Sequence, residues 1–203
     1  MKMIRNTMLA LLFGTFLPIS ANADEVDAMA AVEAAEQAVT SLLSRVREVR
    51  PYYESDEQRY FQGIEEEVTA FVDFREVAIG VMARFSRDAT DAQIDAFADK
   101  LRGTLTRFYG SALVDYGDQQ ITYMPPQQPP ADPAAATNVR LQISGDGARI
   151  DLQSTMFLND EGEWKLRNLF VGGINLRRQY HTQFAALMSR HGNDIDVVIE
   201  NWQ

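Results

Sequence analysis

Apolar and polar positions follow two different rhythms along this 203-residue chain. From Val26 to Tyr116 the apolar residues recur every three or four positions, the period of a helix that buries one face. From Val139 to Val171 they alternate one by one, the period of a strand with one face in a core.

The first regime divides into helices at its own stop signals. Val26, Met29, Val39, Leu42, Val46 and Val49 form one stripe, and Pro51 ends it. Ser55-x-x-Gln58 reads as a capping box ahead of Phe61, Ile64 and Val68. Asp73-x-x-Glu76 opens another helix, with Val77, Val81 and Phe85 inward. Thr90-x-x-Gln93 opens the clearest one, whose stripe is Ile94, Phe97, Leu101, Leu105, Phe108, Leu113 and Tyr116.

The segment Pro125-Pro126-Gln127-Gln128-Pro129-Pro130-Ala131-Asp132-Pro133 separates the regimes. Its prolines lack the N–H that a helix interior or a central strand requires, so it is an exposed connection. Val139, Leu141 and Ile143 then alternate with polar residues up to a turn at Gly145-Asp146-Gly147. Ile150, Leu152, Ser154, Met156 and Leu158 continue the alternation as far as Asn159-Asp160-Glu161-Gly162. Trp164 and Leu166 begin a third strand, but the pattern slips to Leu169 and Val171, which predicts a bulge near Arg167-Asn168. Gln120 to Met124 supplies another strand. Gly172-Gly173 reads as a bend from strand to helix. Asn175 caps a helix carrying Leu176, Tyr180, Phe184 and Leu187, and Asp194 caps a last short one ending at Trp202. The expected class is α+β, with N-terminal helices and a C-terminal helix packed on a curved antiparallel sheet.

The amino terminus follows neither rhythm. Lys2 and Arg5 precede an apolar run from Met8 to Ile19, and Ala21-Asn22-Ala23 follows as a small-x-small cleavage pattern. A membrane span needs about 20 apolar residues, and this run is shorter and holds Pro18. Residues 1–23 are therefore expected to be a signal peptide cleaved after Ala23, leaving 24–203 as a single domain that contains the loop 125–133. With no cysteine in the chain, disulfides, thiol nucleophiles and a lipid-modified anchor are all excluded. A bacterial periplasm suits such a product.

The formal charge is -10, and the leader holds two cations and no acid, so the remainder carries -12. That sign argues against nucleic acid as a partner and against adhesion to an anionic membrane.

Candidate chemistry is sparse. His181 and His191 stand among polar neighbours and read as surface histidines. No HExxH, GxSxG, P-loop or GxGxxG pattern occurs. Glu65-Glu66-Glu67 fans around a helix and reads as a solvated face. Arg177-Arg178 stands at a helix start, where cations oppose the helix dipole, so an anion or an acidic partner would account for the pair. No metal and no cofactor is implied.

The order of several motifs resembles the MlaC family, also described as toluene-tolerance or phospholipid-binding auxiliary proteins of ABC transporters. The first motif runs from Val72-Asp73-Phe74 through Ala78-Ile79-Gly80, followed by Arg87-Asp88-Ala89-Thr90-x-x-Gln93-x-x-x-Phe97. Leu105-x-x-x-Tyr109-x-x-x-Leu113-x-x-Tyr116 continues it. Trp164-Lys165-Leu166-Arg167-Asn168-Leu169, Gly173-Ile174-Asn175-Leu176, Tyr180 and Phe184 complete it. The resemblance spans about Tyr53 to Trp202.

It implies a soluble, monomeric, non-enzymatic periplasmic carrier of phospholipid. Such a carrier passes lipid between an outer-membrane lipoprotein complex and an inner-membrane ABC transporter with an MCE-domain subunit, and maintains outer-membrane lipid asymmetry. The implied fold encloses an apolar cavity for acyl chains. Burying a CH₂ stabilises by about 0.8 kcal/mol, so two long chains supply well over 10 kcal/mol and no reactive group is needed. The cavity lining is expected to be drawn from Phe71, Phe74, Val77, Val81, Phe97, Leu101, Leu105, Leu141, Leu152, Met156, Trp164 and Leu166. Arg177 and Arg178 are the expected contacts to a headgroup or a partner. Three alternatives stand beside this reading. One is a carrier of another apolar ligand such as a hopanoid. Another is an enzyme on a cone-shaped α+β fold, using Asp151 or Asp73 in a pocket. The third is a scaffold with a fully packed interior.

Overall fold

A computed structural model describes residues 23–115, 120–124, 136–145 and 148–203. The leader ahead of Ala23, Tyr116, the Pro-rich segment and the turn at Asp146-Gly147 lie outside the described residues. Four helices come first: α1 (Ala23–Val49), α2 (Glu57–Phe71), α3 (Phe74–Met82) and α4 (Asp91–Leu113). Five strands follow: β1 (Gln120–Met124), β2 (Thr137–Gly145), β3 (Ala148–Leu158), β4 (Trp164–Val171) and β5 (Ile174–Asn175). Helices α5 (Leu176–Arg190) and α6 (Ile195–Glu200) close the chain. The strands pair antiparallel in sequence order, giving the α+β meander that the two rhythms predict.

Most helix starts are those written in the sequence. The carboxylate of Asp73 accepts from the N–H of Glu76 at 2.9 Å. Thr90 and Gln93 form both halves of a capping box. Asn175 and Asp194 accept from the N–H groups of Arg178 and Val197. The start of α2 differs from the expected Ser55 cap: Asp56 accepts from the N–H of Arg59 at 3.1 Å. A carboxylate both satisfies the orphan donor and complements the helix dipole. The Ser55 hydroxyl turns back to the carbonyl of Pro51 instead.

The predicted bulge is present in β4. Thr155 pairs with Asn168 and Met156 with Leu166, so Arg167 is the extra residue. Without it, Leu166 and Leu169 would face opposite sides of the sheet. With it, both join the apolar face. Between β4 and α5 the Gly172-Gly173 bend, with both glycines at positive φ, makes a tight hairpin to the two-residue β5.

Among the described residues, three apolar clusters hold the elements together. The largest lies among α3, α4, α5 and α6, around Phe97, Leu101, Phe184, Met188, Val198 and Trp202. Phe97 meets the rings of Phe184 and Trp202 at 4.8 and 4.9 Å. The second joins the C-terminal half of α1 to α2 through Val46, Val49, Tyr60, Phe61 and Ile64. The third joins the N-terminal half of α1 to the sheet through Ala31, Ala35, Val139 and Met156. Thus α1 packs on a helix at one end and on the sheet at the other.

Gly63 permits the first of these contacts. A Cβ there would stand 2.7 Å from Val49 Cγ1, and Arg45 Nε approaches the Gly63 carbonyl. Gly63→Ala is expected to lower unfolding stability by about 1–3 kcal/mol through overpacking, read as a lower urea midpoint.

Tyr60 is buried and donates to the carbonyl of Gly110 at 2.7 Å. Burial is the main cause that pushes its phenol up to about 12. An unfolded tyrosine titrates near 10, so above that pH the unfolded chain loses a proton that the folded chain retains. Stability is therefore fully present below about pH 10 and falls as pH rises toward 12. Tyr60→Phe should flatten that alkaline slope in urea titrations. A remainder should persist, because burial also raises Tyr123 and Tyr180.

Candidate functional site

The inward-facing residues of the sheet form rows across its strands. Trp164 pairs with Leu158, and Leu166 lies in line with Met156 and Thr137. Next come Leu169, Ser154 and Val139, then Val171, Leu152, Leu141 and Tyr123. Ile150, Ile143 and Ile121 form the last row. The opposite face carries Thr122, Arg140, Gln142, Asp151, Gln153 and Thr155, with Gln142 donating to Asp151.

Coverage of the apolar face is uneven. The N-terminal half of α1 lies on the first rows, with Val32 and Ala34 beside Ala31 and Ala35 against Trp164, Leu166, Met156 and Val139. Val139 and Met156 are sealed from water there. In the rows beyond, Leu141 is buried, while Leu152, Val171, Ile143, Ile150 and Ile121 are partly buried, as are Leu158, Trp164, Leu166 and Leu169 in the first rows. The Tyr123 hydroxyl reaches the carbonyl of Glu36 at 3.4 Å, marking the edge of the roof. Burial, and secondarily the Glu36 carboxylate, push the Tyr123 phenol up to about 12. A half-open run of aliphatic side chains beside a sealed one can take up an apolar ligand without reactive chemistry.

The structure divides the residues proposed from sequence into two groups. Leu141, Leu152, Met156, Trp164 and Leu166 share this sheet face. Phe74, Val77, Val81, Phe97 and Leu101 belong to the cluster among the helices, with Leu105 packed against it. Phe71 stands half-buried at the end of α2. The alanines of α1 carry no sequence signal beyond helical spacing, because alanine marks a face only when its partner is known. Ile143, Ile150, Leu169 and Val171 were legible as inward positions, but alternation alone does not say which inward positions stay half-open.

Arg177 and Arg178 are exposed in the first turn of α5. Among the described residues neither has an ion-pair partner. The stem of Arg177 lies against α3 at Gly80. His181 is half-buried rather than solvated: Nδ1 lies 2.8 Å from the carbonyl of Val81 and ties α5 to the end of α3.

Asp151 is exposed on the polar face of the sheet, and Asp73 is engaged as the cap of α3. Asp73 also borders an open cleft of about 380 Å³ that includes Phe74, Arg75, Asp95, Arg102 and Lys165. The charges there are mutually satisfied, with Arg75 paired to Asp91 and Asp95 and Arg102 paired to Glu65 and Asp99. Among the described residues no cluster of three or more His, Asp or Glu could hold a metal ion. No described helix is long and apolar enough to cross a membrane.

The fold and this face define an α+β protein with an apolar sheet face that the described residues cover only in part. The MlaC protein family matches residues 36–203, and the chain belongs to that family. A toluene tolerance protein, Ttg2D of Pseudomonas putida, is 33% identical over 165 residues, covering 80% of this chain and 75% of that protein. A phospholipid-binding protein from Ralstonia solanacearum, solved in complex with a phospholipid, shares the fold with a TM-score of 0.73 at 24% identity. The match covers 84% of this chain and 93% of that one.

The division between sealed and half-open positions has a measurable consequence. Phe97→Ala is expected to cost about 3–5 kcal/mol in urea unfolding, because the ring is enclosed by Phe184 and Trp202. Leu152→Ala should cost clearly less than the roughly 2–5 kcal/mol of a sealed leucine, because part of its surface already meets water.

Proposed function

We propose that this protein binds phospholipid with its acyl chains on the apolar face of the sheet and carries it through the periplasm. The observation that carries the reading is an apolar sheet face on which Val139 and Met156 are sealed from water while Leu152, Val171, Ile143 and Ile150 keep part of their surface exposed. Membership of the MlaC family and the phospholipid-bound relative of the same fold support it. In this reading Leu141, Leu152, Met156, Trp164 and Leu166 contact the chains. Phe71, Phe74, Val77, Val81, Phe97, Leu101 and Leu105 form the helical wall that opposes them. Arg177 and Arg178 meet the headgroup phosphate or an acidic docking partner. The cargo moves between an outer-membrane lipoprotein complex and an inner-membrane MCE-domain transporter, and that traffic maintains lipid asymmetry. Export with cleavage after Ala23 delivers the carrier as a free, monomeric protein of residues 24–203 that performs no catalysis.

Hydrocarbon transfer is the driving force. Each methylene withdrawn from water contributes about 0.8 kcal/mol. A carboxylate placed among the chains would oppose that burial. Protein purified without detergent from a membrane-rich host should carry phospholipid, detected by native mass spectrometry and by thin-layer chromatography of a chloroform–methanol extract. Leu152→Asp and Val171→Asp should abolish the co-purified lipid while leaving the thermal midpoint within a few degrees of wild type. Wild-type protein that remains free of lipid after incubation with phosphatidylglycerol vesicles would defeat the reading.

A further inference from the structure

We propose that the hydroxyls of Tyr109 and Tyr180 form the polar end of the lipid site, where they donate to the ester carbonyl oxygens of the acyl chains. The inference deepens the lipid-carrier reading and rests on it.

One row of the apolar face crosses all five strands. Tyr123, Leu141, Leu152, Val171 and Ile174 are successive partners from β1 to β5. Directly opposed residues point to the same face, so Ile174 extends the row of Leu152 and Val171. At about 4.8 Å between strands, the row is about 19 Å long. It ends in the open, because Ile174 is exposed. From there the chain turns at once into α5. Leu176 and Tyr180, four residues apart, share one face of that helix, and both are partly buried.

Polar atoms stand where the apolar row gives out. The Tyr180 hydroxyl donates to that of Tyr109, on α4, at 3.4 Å. A phenol carries one proton, so the Tyr109 proton is left over, and among the described residues it has no acceptor. The surroundings are rich in donors and poor in acceptors. Trp202, whose ring centroid lies 6.2 Å from that of Tyr180, buries an indole N–H with no partner. Phe108, its ring centroid 5.0 Å from that of Tyr109, offers only hydrocarbon. Arg177, three residues before Tyr180, adds further donors. Burial first, and then the bond to Tyr109, push the Tyr180 phenol up, so it stays a neutral donor.

The ligand group that such a set lacks is an oxygen that accepts and cannot donate. An ester carbonyl is that group, and in a phospholipid it stands between the acyl chains and the phosphate. With a chain along the sheet row, the carbonyl meets the phenols at the end of the row, and the phosphate beyond it faces Arg177. A pure hydrocarbon ligand has nothing to give these donors.

The test compares phosphatidylglycerol whose chains are ester-linked with the same lipid whose chains are ether-linked, which lacks the carbonyl oxygens. Each is titrated into delipidated protein, and Kd is read from displacement of a pyrene-labelled phosphatidylglycerol. Wild type should bind the ester-linked lipid about fivefold or more tighter than the ether-linked one. Tyr109→Phe combined with Tyr180→Phe keeps both rings and removes both hydroxyls. It should bring the two affinities to within about twofold of each other and leave the ether-linked lipid bound as in wild type. A mere clamp between α4 and α5 would weaken both lipids together and keep their ratio, and that result would overturn the site. Equal affinities of wild type for the two lipids would also overturn it, with the carrier reading left standing. Wild type that binds neither lipid would defeat the carrier reading, and the site with it.

Discussion

The polar ties of α2, α3 and α5 to the sheet run along a single strand, β4, and the geometry of the apolar face depends on them. The carbonyl of Leu166 accepts from the N–H of Asp73 at 3.0 Å, so the α2–α3 junction continues the edge of β4. Lys165 reaches the carbonyl of Ala70 at 2.8 Å, satisfying an orphan acceptor at the end of α2. Asn168 is buried and accepts from the N–H of Arg177, which fixes the first turn of α5. The bulge at Arg167 lies between these attachments. It lets one short strand hold helices along its polar contacts while Leu166 and Leu169 stay with the apolar rows.

These ties leave a layer of helices with an apolar core of its own. Phe97, Phe184 and Trp202 pack on each other across α4, α5 and the chain end. The sheet contributes an apolar face wider than the N-terminal half of α1 covers. Protein interiors are ordinarily packed at crystal-like density. Among the described residues, the partial exposure of Leu152, Val171 and Ile150 on this face is the feature that sets it apart from a fully sealed core.

Much of this was readable in the residues. The rhythm change between Tyr116 and Val139 separated helices from strands, and the slip from Leu166 to Leu169 located the bulge, because period-two alternation leaves no other way to keep both inward. Caps at Asp73, Thr90, Asn175 and Asp194 were legible because each has a local chemical reason. The α2 cap was placed one residue early, because Ser55 and Asp56 are adjacent candidates and a pattern does not rank them. The division of the apolar residues was not legible. Phe97 and Leu152 look equally inward in sequence, and only the packing of α5 and α6 separates a sealed ring from a half-open leucine. The roof of small residues was also silent, since alanines say little until the surface opposite them is known.

Trp202 is buried against Phe97 and Phe184, and Gln203 beside it is exposed. An affinity tag or label fused at Gln203 therefore leaves directly from the edge of the helical core, and any pull on it is borne by the aromatic cluster that joins α4 to α5.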